Sequence, residues 1–332
     1  MKNGKKFIGR STLFGPVPSR RLGMSLGIDL VPPKTCSMDC VYCESGPTTL
    51  LTTERREFVP TEAVIDALRE FLTEREEEID YVTFSGAGEP TLHSGIGRVA
   101  RFLSEEFPRR KTCLLTNATP IVSDKSLLEE LNSIHLLVPS LDAATPRDFA
   151  AINRPAPGID FEAHLQAVTE LRRAARGEFH LEIFVVPGIN DSRESIDAFA
   201  EIVENIKPDK TLLNTLDRPG TESWVVPASA EKLAEFADAI SHSAMVEITA
   251  RSTKTEKKPR HTPMPDGTAE REILEMTTRR PCTEHDLARS LGMDDAEIAR
   301  IVRKMSDDGK LEMEKSKRGT FMRPARQEKE NK

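Results

Sequence analysis

The stretch Thr35-Cys-Ser-Met-Asp-Cys-Val-Tyr-Cys-Glu44 carries three of the five cysteines of the chain, at positions 36, 40 and 43. We call them the cysteine triplet. Three thiolates this close in sequence can ligate three irons of a four-iron cluster and leave the fourth iron without a protein ligand. An iron with an open position can bind and reduce a small molecule. The stretch therefore predicts a redox enzyme.

Zinc is the main alternative to iron at such a group of thiolates. A zinc site takes a fourth Cys or His ligand close by, but the nearest histidine in sequence is His93, and Cys113 and Cys282 are remote. Buried thiols without a ligand rarely lie this close together. The spacing therefore favours an iron–sulfur cluster at the triplet, and we interpret the two remaining cysteines as packing residues.

The composition limits the class of protein. With 332 residues, of which 38% are hydrophobic, the chain is long enough for one large α/β barrel and a small appendage. The formal net charge of −7 gives no general case for nucleic-acid binding. An odd number of cysteines, three of them clustered, indicates a reducing compartment. Because the sequence has neither a long apolar run nor an apolar leader, we expect a cytoplasmic protein without membrane contact.

Strand-like and helix-like segments alternate over the first 250 residues. Short apolar runs, typical of buried strands, occur at residues 24–30, 81–85, 112–116, 136–140, 181–186 and 211–216. Amphipathic stretches, typical of covering helices, occur at residues 61–73, 96–107, 161–175, 192–206 and 230–241. This alternation predicts an α/β fold with a parallel sheet. Because six units are too few for a closed barrel, we expect a partial (β/α)6 TIM-type barrel over residues 1–250, with functional residues at the C-terminal ends of its strands.

The pattern changes after residue 250. Residues 251–267 are basic, contain prolines and are predicted to form a linker. Three helical patterns and a hairpin pattern follow, at residues 268–277, 284–290, 294–308, 311–314 and 320–323. This is the layout of a winged helix. The sequence therefore predicts a small winged-helix-like domain at residues 268–325 and a disordered tail at residues 326–332.

Several basic side chains of this C-terminal domain are candidates for phosphate contacts: Arg300, Arg303, Lys304, Lys315, Lys317 and Arg318. Acidic residues are almost as numerous in the domain as basic ones, however, and a nucleic-acid-binding domain usually has a clearly basic surface. Contact with a substrate protein or with a second copy of the chain is therefore an equally good interpretation.

The Cys-x3-Cys-x2-Cys spacing, with the aromatic Tyr42 before its last cysteine and a strand before the loop, resembles the signature of the radical S-adenosylmethionine (SAM) superfamily. The resemblance implies a radical SAM barrel in which Cys36, Cys40 and Cys43 ligate a [4Fe–4S] cluster and the open iron binds SAM. It also implies reductive cleavage of SAM to methionine and a 5′-deoxyadenosyl radical, which abstracts hydrogen from a substrate. The electron would come from an external flavodoxin- or ferredoxin-like donor.

Polar residues at later strand ends extend the resemblance. Ser85-Gly-Ala-Gly-Glu-Pro90 resembles the superfamily's Gly-Gly-Glu segment, which implies that Glu89 accepts a hydrogen bond from the SAM ammonium. The resemblance implies further cofactor-binding roles for Tyr42, Gly86, Gly88, Asn117, Ser140 and Asp142, and a place for adenine at the backbone of Gly188 and Ile189. Taken singly, each polar residue is equally well explained as a helix cap or a turn residue.

The N-terminal stretch Phe14-Gly-Pro-Val-Pro-Ser-Arg-Arg-Leu-Gly23 resembles a subgroup of radical SAM iron–sulfur proteins related to wyosine tRNA-modification enzymes. Characterised wyosine synthases carry a second cysteine set upstream. No cysteine precedes Cys36 here, so the wyosine reaction itself is not expected. The arginines that go with this stretch have two interpretations, contact with an anionic substrate or salt bridges that hold loops over the barrel. They are Arg20, Arg21, Arg154 and Arg218.

Together these observations predict a radical SAM enzyme, with tRNA as the first hypothesis for its substrate. Modification or activation of a protein or peptide is the second hypothesis, with the C-terminal domain as the recognition module. A hypothesis from another class is a SAM- or redox-sensing DNA-binding regulator that uses the barrel as its sensor.

Overall fold

A mostly parallel sheet forms the larger part of the protein. The computed structural model describes residues 12–19, 21–74, 79–249, 268–316 and 319–325. The strands up to residue 249 are β1 (Leu13–Ser19), β2 (Gly23–Asp29), β3 (Thr35–Cys36), β4 (Leu50–Leu51), β5 (Tyr81–Ser85), β6 (Lys111–Thr116), β7 (Leu136–Pro139), β8 (Glu178–Phe184), β9 (Lys210–Asn214) and β10 (Met245–Ile248).

Eight of these strands form one sheet in the order β1-β2-β5-β6-β7-β8-β9-β10. β1 pairs with β2 in antiparallel orientation, whereas every later neighbour is parallel. The short strands β3 and β4 pair with each other outside this sheet. Because β1 and β10 lie at opposite ends of the strand order and do not pair, the sheet is an open barrel.

Helices cover the outer face of the sheet. They are α1 (Thr61–Glu74), α2 (Ile96–Glu106), α3 (Pro120–Ser123), α4 (Leu127–Glu130), α5 (Pro146–Ile152), α6 (Phe161–Ala174), α7 (Arg193–Ile206) and α8 (Ala230–Ile240). Several begin at a side-chain cap, as at Asp160 and Ser192. Alternate strand residues such as Leu26, Phe84 and Ile183 join one large buried cluster with the helices. Each such buried side chain contributes about 1.5–3 kcal/mol, which makes this layer the main source of stability.

The inner face of the sheet changes character along the strands. Near the N-terminal strand ends, Leu22 from the β1–β2 turn packs with Cys113, Leu136, Val138 and Leu212 in a separate apolar cluster. The inner face also carries polar groups, such as the Ser25 and Thr83 hydroxyls, which lie 2.7 Å apart. Glu89, Asn117 and Asp142 follow the ends of β5, β6 and β7 and so lie at the opposite, C-terminal edge of the sheet. Cys113 packs in this cluster, as the sequence predicts.

The six predicted strands are all present, together with four that were not predicted, β1 and β10 in the large sheet and the short pair β3 and β4. β1 contains Gly15, Pro16 and Pro18, residues that argue against a strand, and its register shifts between Phe14 and Val17. It tolerates the prolines because it lies at the edge of the sheet. β10 is a short edge strand that buries little of its surface, and so it lacks the apolar run of a central strand. The sheet is therefore larger than six βα units.

The C-terminal residues form a compact helical unit. Its elements are α9 (Thr268–Arg279), α10 (Glu284–Leu291), α11 (Asp295–Asp307), β11 (Leu311–Ser316) and β12 (Gly319–Pro324). Thr283 caps α10 with a reciprocal capping box, and Gly292 ends that helix in the left-handed conformation. Ile273, Ile298 and Val302 belong to a core of its own.

The helices and the hairpin predicted after residue 267 are present, and Cys282 packs in the core of this unit. The predicted linker, at residues 251–267, and the predicted tail, at residues 326–332, lie outside the described residues, as do Arg20, Lys317 and Arg318. Among the helices that the structure describes, none is both long and apolar enough to cross a membrane.

Candidate cluster and cofactor site

The cysteine triplet lies on the loop that follows β2, and all three thiols are partly buried. Burial is the main cause that raises the pKa of Cys36 to about 12, and burial also raises the pKa of Cys40. Such thiols become thiolates when a cation compensates the charge, as iron does. Within the described ranges, no three Cys, His, Asp or Glu side chains are arranged around a single metal ion. Three sulfur donors on one short loop fit the separate irons of a cluster.

Backbone hydrogen bonds hold this loop, residues 30–49, which we call the cluster loop, in place. The amides of Asp39 and Val41 donate to the carbonyls of Asn153 and Ile152, at 3.0 and 2.9 Å, at the end of α5. On the other side, the Thr52 amide donates to the carbonyl of Cys36 at 2.9 Å. The loop is therefore held on one side by the end of α5, which follows β7, and on the other by the segment at Thr52, which follows the loop in sequence.

Gly86 and Gly88 allow two chains to come close at the end of β5. A Cβ atom on Gly86 would lie 1.8 Å from Oδ1 of Asp29, and Gly86 has a φ of +121°. A Cβ atom on Gly88 would lie 2.3 Å from the carbonyl oxygen of Thr35, next to the first cysteine. Glycine is therefore required at both positions, because a side chain would collide with β2 at Gly86 and with the cluster loop at Gly88.

Glu89 is buried and accepts four hydrogen bonds. Its Oε1 accepts from the amide and the hydroxyl of Thr91, at 3.0 and 2.6 Å, and from the hydroxyl of Thr116, at 2.7 Å. Its Oε2 accepts from the Asn117 amide at 2.7 Å. Burial raises the pKa of Glu89, and the four donors act in the opposite direction. The carboxylate joins the ends of β5 and β6, and Oε2 keeps capacity for another donor.

Asn117 and Ser140 lie at the ends of β6 and β7. The side-chain nitrogen Nδ2 of Asn117 lies 3.0 Å from the Ser37 hydroxyl and 3.5 Å from Sγ of Cys36. The Ser140 amide donates to the Thr116 carbonyl at 2.9 Å, so its backbone continues the sheet by one residue. Asn117 therefore joins the cluster loop to β6 directly, whereas the Ser140 backbone belongs to the sheet.

Asp142 is the centre of a buried polar network. Its Oδ2 accepts from the Tyr42 hydroxyl at 2.5 Å and from the Asn153 side chain at 2.8 Å. Its Oδ1 accepts from the Phe184 amide at 3.0 Å. Burial raises the pKa of Asp142 to about 6, against the effect of these donors. The Tyr42 ring also stacks on Phe184 with 3.8 Å between centroids. Asp142 and Tyr42 thus connect the cluster loop to β7 and β8.

The loop after β8 leaves space beside an apolar cluster. Gly188 is exposed with a φ of +82°, and a Cβ atom there would meet no atom within 4 Å. Ile189 packs against a small cluster that includes Val41, Phe184 and Val186. The open backbone position and the apolar wall are compatible with a flat aromatic ring.

The predicted arginines form ion pairs. Arg21 binds both carboxylate oxygens of Glu182, at 2.8 and 2.5 Å, on the inner face of the sheet. Arg154 pairs with Glu222 at 2.6 Å. Arg218 follows β9 and also lies between carboxylates. Salt bridges that hold loops, the second of the two interpretations, describe these three arginines.

The C-terminal unit contacts the cluster loop. Arg218 is 8% exposed and lies 3.6 Å from Glu44, which follows the last cysteine, and 3.3 Å from Asp286 at the start of α10. The Ser45 hydroxyl donates to the carbonyl of Arg279 at 2.6 Å. The Arg279 side chain, in turn, binds Asp29 at the end of β2 at 2.8 Å. The unit therefore forms part of the wall around the triplet.

Sequence reasoning missed three residues of this site. Lys34 reaches Sγ of Cys43 at 3.3 Å. Asn153 reaches Sγ of Cys40 at 3.5 Å. His164, on α6, donates from Nε2 to the Asn117 carbonyl at 2.8 Å, and burial lowers its pKa to about 4. The position of Lys34 beside the motif was the one available signal; the other two meet the site through the tertiary fold.

A triplet of thiols lies on the loop after β2, with carboxylate and amide groups at the next strand ends, which is the arrangement expected of a cluster-dependent SAM enzyme. The sequence profile of the Radical SAM superfamily matches residues 30–200, about half of the chain. The chain belongs to this superfamily of enzymes. Membership implies a [4Fe–4S] cluster and SAM as its cofactors.

Several relatives of the chain are proteins named UPF0026. The chain is 30% identical over 303 residues to a UPF0026 protein of Methanocaldococcus jannaschii, covering 90% of this chain and 91% of that one. It is 35% identical over 208 residues to a UPF0026 protein of Synechocystis sp., covering 62% and 76%. It is also 32% identical over 302 residues to a Brachyspira hyodysenteriae protein named GTPase Obg, covering 91% of this chain but only 43% of that protein.

Solved structures give a more distant likeness. The chain resembles a radical SAM methyltransferase from Sphaerobacter thermophilus, with 19% identity and a TM-score of 0.49, covering 68% of this chain and 66% of that one. It also resembles Streptococcus suis SuiB bound to S-adenosylmethionine, with 16% identity and a TM-score of 0.49, covering 66% and 49%.

Proposed function

We propose that this enzyme cleaves SAM reductively at a [4Fe–4S] cluster held by Cys36, Cys40 and Cys43, and that it abstracts hydrogen from a tRNA substrate. One observation carries the cofactor part of the proposal. Hydrogen bonds join the ends of β5, β6 and β7 to the cluster loop, from the Glu89 amide to Thr35, from the Asn117 side chain to Ser37 and from Tyr42 to Asp142. Asn117, and Asn153 at the end of α5, also reach cysteine sulfurs. A cofactor bound to the open iron would therefore lie against the same strand ends.

The residues proposed to hold SAM follow from this arrangement. Glu89 is the proposed acceptor for the SAM ammonium, because its Oε2 keeps a lone pair in a buried position. Asn117 donates to Glu89, Asp142 fixes Tyr42 and Asn153 beside the cysteine sulfurs, and Ser140 and the glycines Gly86 and Gly88 shape the backbone. The apolar cluster beside Gly188 is the proposed place for adenine.

When bound, the cluster and SAM supply a 5′-deoxyadenosyl radical. The chain's own part is to hold the cofactors and to keep water away from them. Tyr42, stacked on Phe184 and bonded to Asp142, fixes the middle of the cluster loop. Arg218 pairs with Glu44 of the loop and with Asp286 of the C-terminal unit, and Arg279 binds that unit to Asp29 at the end of β2. We propose that an external flavodoxin- or ferredoxin-like protein supplies the electron.

The substrate part of the proposal rests on the C-terminal unit, which we propose to be a winged-helix-like domain over residues 268–325. Arg300, Arg303 and Lys304 are exposed on α11, and their spacing of three and four residues places them on one side of the helix. A third helix with a basic side is a common phosphate-binding element. The resemblance of the N-terminal stretch to wyosine tRNA-modification enzymes points to the same class of substrate.

The cofactor chemistry has a direct test. Protein purified and reconstituted anaerobically with iron and sulfide, then given SAM and dithionite, should form 5′-deoxyadenosine. The Cys40→Ala variant is the control, because it removes one cluster ligand. Equal amounts of 5′-deoxyadenosine from both proteins would count against catalysis and would favour a SAM-sensing role.

The substrate class has a separate test. An Arg300→Gln and Arg303→Gln double variant should bind bulk tRNA more weakly than the wild type, and its binding should depend less on salt. A matched control removes two exposed arginines from barrel helices, Arg101→Gln and Arg193→Gln. Equal tRNA binding by the two double variants would reject this basic side as the tRNA contact. Binding of peptides without tRNA binding would favour the protein-substrate alternative.

A further inference from the structure

The ammonium group of Lys34 is a positive charge in contact with the cysteine triplet. Its Nζ lies 3.3 Å from Sγ of Cys43, although nine residues separate the two in sequence. The side chain is partly buried. Among the described residues, no carboxylate oxygen lies within 4.0 Å of the Lys34 ammonium, the limit for an ion pair. The Cys43 thiol is therefore its side-chain partner.

The backbone fixes Lys34 in this position. Its φ is +64°, in the left-handed region that residues with a Cβ atom seldom adopt. The Lys34 amide donates to the Ala87 carbonyl at 2.6 Å, and the Lys34 carbonyl accepts from the amides of Thr49 and Leu50, both at 3.0 Å. These bonds hold the residue from both sides in an unfavourable conformation. A residue kept in such a conformation beside a functional loop is a candidate for a functional role.

A cation at this position affects a cluster through its charge. Reduction of the cluster adds one electron, delivered by a low-potential one-electron donor, and no bond forms or breaks in the protein. The added negative charge is spread over iron and sulfur, including the Cys43 sulfur. A hydrogen bond from an ammonium to a ligand sulfur stabilises the more negative state and raises the reduction potential.

We propose that Lys34 is a positioning residue that donates to the Cys43 thiolate and raises the reduction potential of the cluster, which makes reduction by the electron donor easier. The inference rests on the proposed function, because it requires the cluster at the triplet. It adds a role for a residue of this chain in setting how readily that cluster is reduced.

An anaerobic redox titration of the reconstituted protein, followed by electron paramagnetic resonance without SAM, tests the proposal. The Lys34→Met variant removes the charge and keeps the length of the chain. We expect its reduction equilibrium constant to fall about tenfold, which is about 59 mV toward lower potential for one electron. Lys34→Arg should stay near the wild type. Lys125→Met is the control, because Lys125 pairs with Glu170 on the outer helices.

Each outcome has one meaning. Failure of the wild-type protein to assemble a cluster would refute the proposed function, and with it this inference. An intact cluster in Lys34→Met with an unchanged potential would overturn the inference alone. A shift that appears only after SAM is added would do the same, because it would assign Lys34 to SAM. If Lys34→Met binds less iron, Lys34→Gln provides the same comparison. A folded protein without cluster in both variants would give Lys34 a role in assembly and reject its role in tuning.

Discussion

Replacing Arg218 with methionine should loosen the C-terminal unit from the cluster loop. Arg218 lies between Glu44, next to the last cysteine, and Asp286, at the start of α10. Methionine fills a similar volume but carries no charge. The substitution therefore leaves two carboxylates without their shared cation and keeps most of the packing.

The magnitude follows from burial. Removing one partner of a fully buried ion pair costs about 3–5 kcal/mol. The side chains of Glu44 and Asp286 are 21% and 31% exposed, so water can solvate each carboxylate once the arginine has gone. We therefore expect Arg218→Met to lower the free energy of unfolding by about 1–3 kcal/mol.

Urea unfolding followed by tryptophan fluorescence measures this loss. The chain has a single tryptophan, Trp224, which is 49% exposed and lies in the loop that follows Arg218. A double-mutant cycle with Asp286→Asn isolates the pair, and we expect a coupling energy of about 1 kcal/mol or more. The control is Arg193→Met, which breaks an exposed pair with Asp197 and should cost less than about 0.5 kcal/mol. A coupling energy of zero between Arg218 and Asp286 would refute this account of how the unit is held.

Three further substitutions test the site. Gly88→Ala places a Cβ atom 2.3 Å from a backbone oxygen of the cluster loop, so the iron content per chain should fall and stability should drop by about 1–3 kcal/mol; unchanged iron content would contradict this. Tyr42→Phe removes the 2.5 Å hydrogen bond to Asp142 and should lower the free energy of unfolding, measured in urea, by about 1–3 kcal/mol. An unchanged free energy of unfolding would count against this hydrogen bond. Burial lowers the pKa of His164 to about 4. As the pH falls below 6.5, His164 is therefore protonated in the unfolded chain before it is protonated in the folded protein. His164 should then contribute a loss of stability of up to about 3 kcal/mol between pH 6.5 and pH 4, against a gain over the same interval from the raised pKa of Asp142. The His164→Gln variant should therefore lose less stability than the wild type as the pH falls over that interval.

The sequence predicts the parts of the site that are local. The spacing of the cysteine triplet is a property of one short loop, and the six central strands follow from apolar runs that are visible one at a time. β1 was missed because Pro16 and Pro18 argue against a strand, and only the edge position in the sheet makes them acceptable. The wider sheet therefore depended on pairing that no single segment encodes.

The rest of the site depends on contacts between segments far apart in sequence. Asn153 and His164 lie on or after helices, where their spacing resembles that of core residues, and they reach the site only because the strands bring those helices together. Lys34 lies beside the triplet, but its positive φ and its contact with Cys43 follow from bonds to Ala87, Thr49 and Leu50. The arginines had two interpretations until their carboxylate partners were known.

The central claim is that the cysteine triplet holds a [4Fe–4S] cluster whose open iron binds SAM. Electron paramagnetic resonance of the reconstituted, dithionite-reduced protein, recorded before and after addition of SAM, tests it most directly. We predict the signal of a reduced [4Fe–4S] cluster that changes its g values when SAM is added, and loss of that signal in Cys43→Ala. A protein that binds zinc in place of iron, or a cluster signal that SAM leaves unchanged, would contradict the claim.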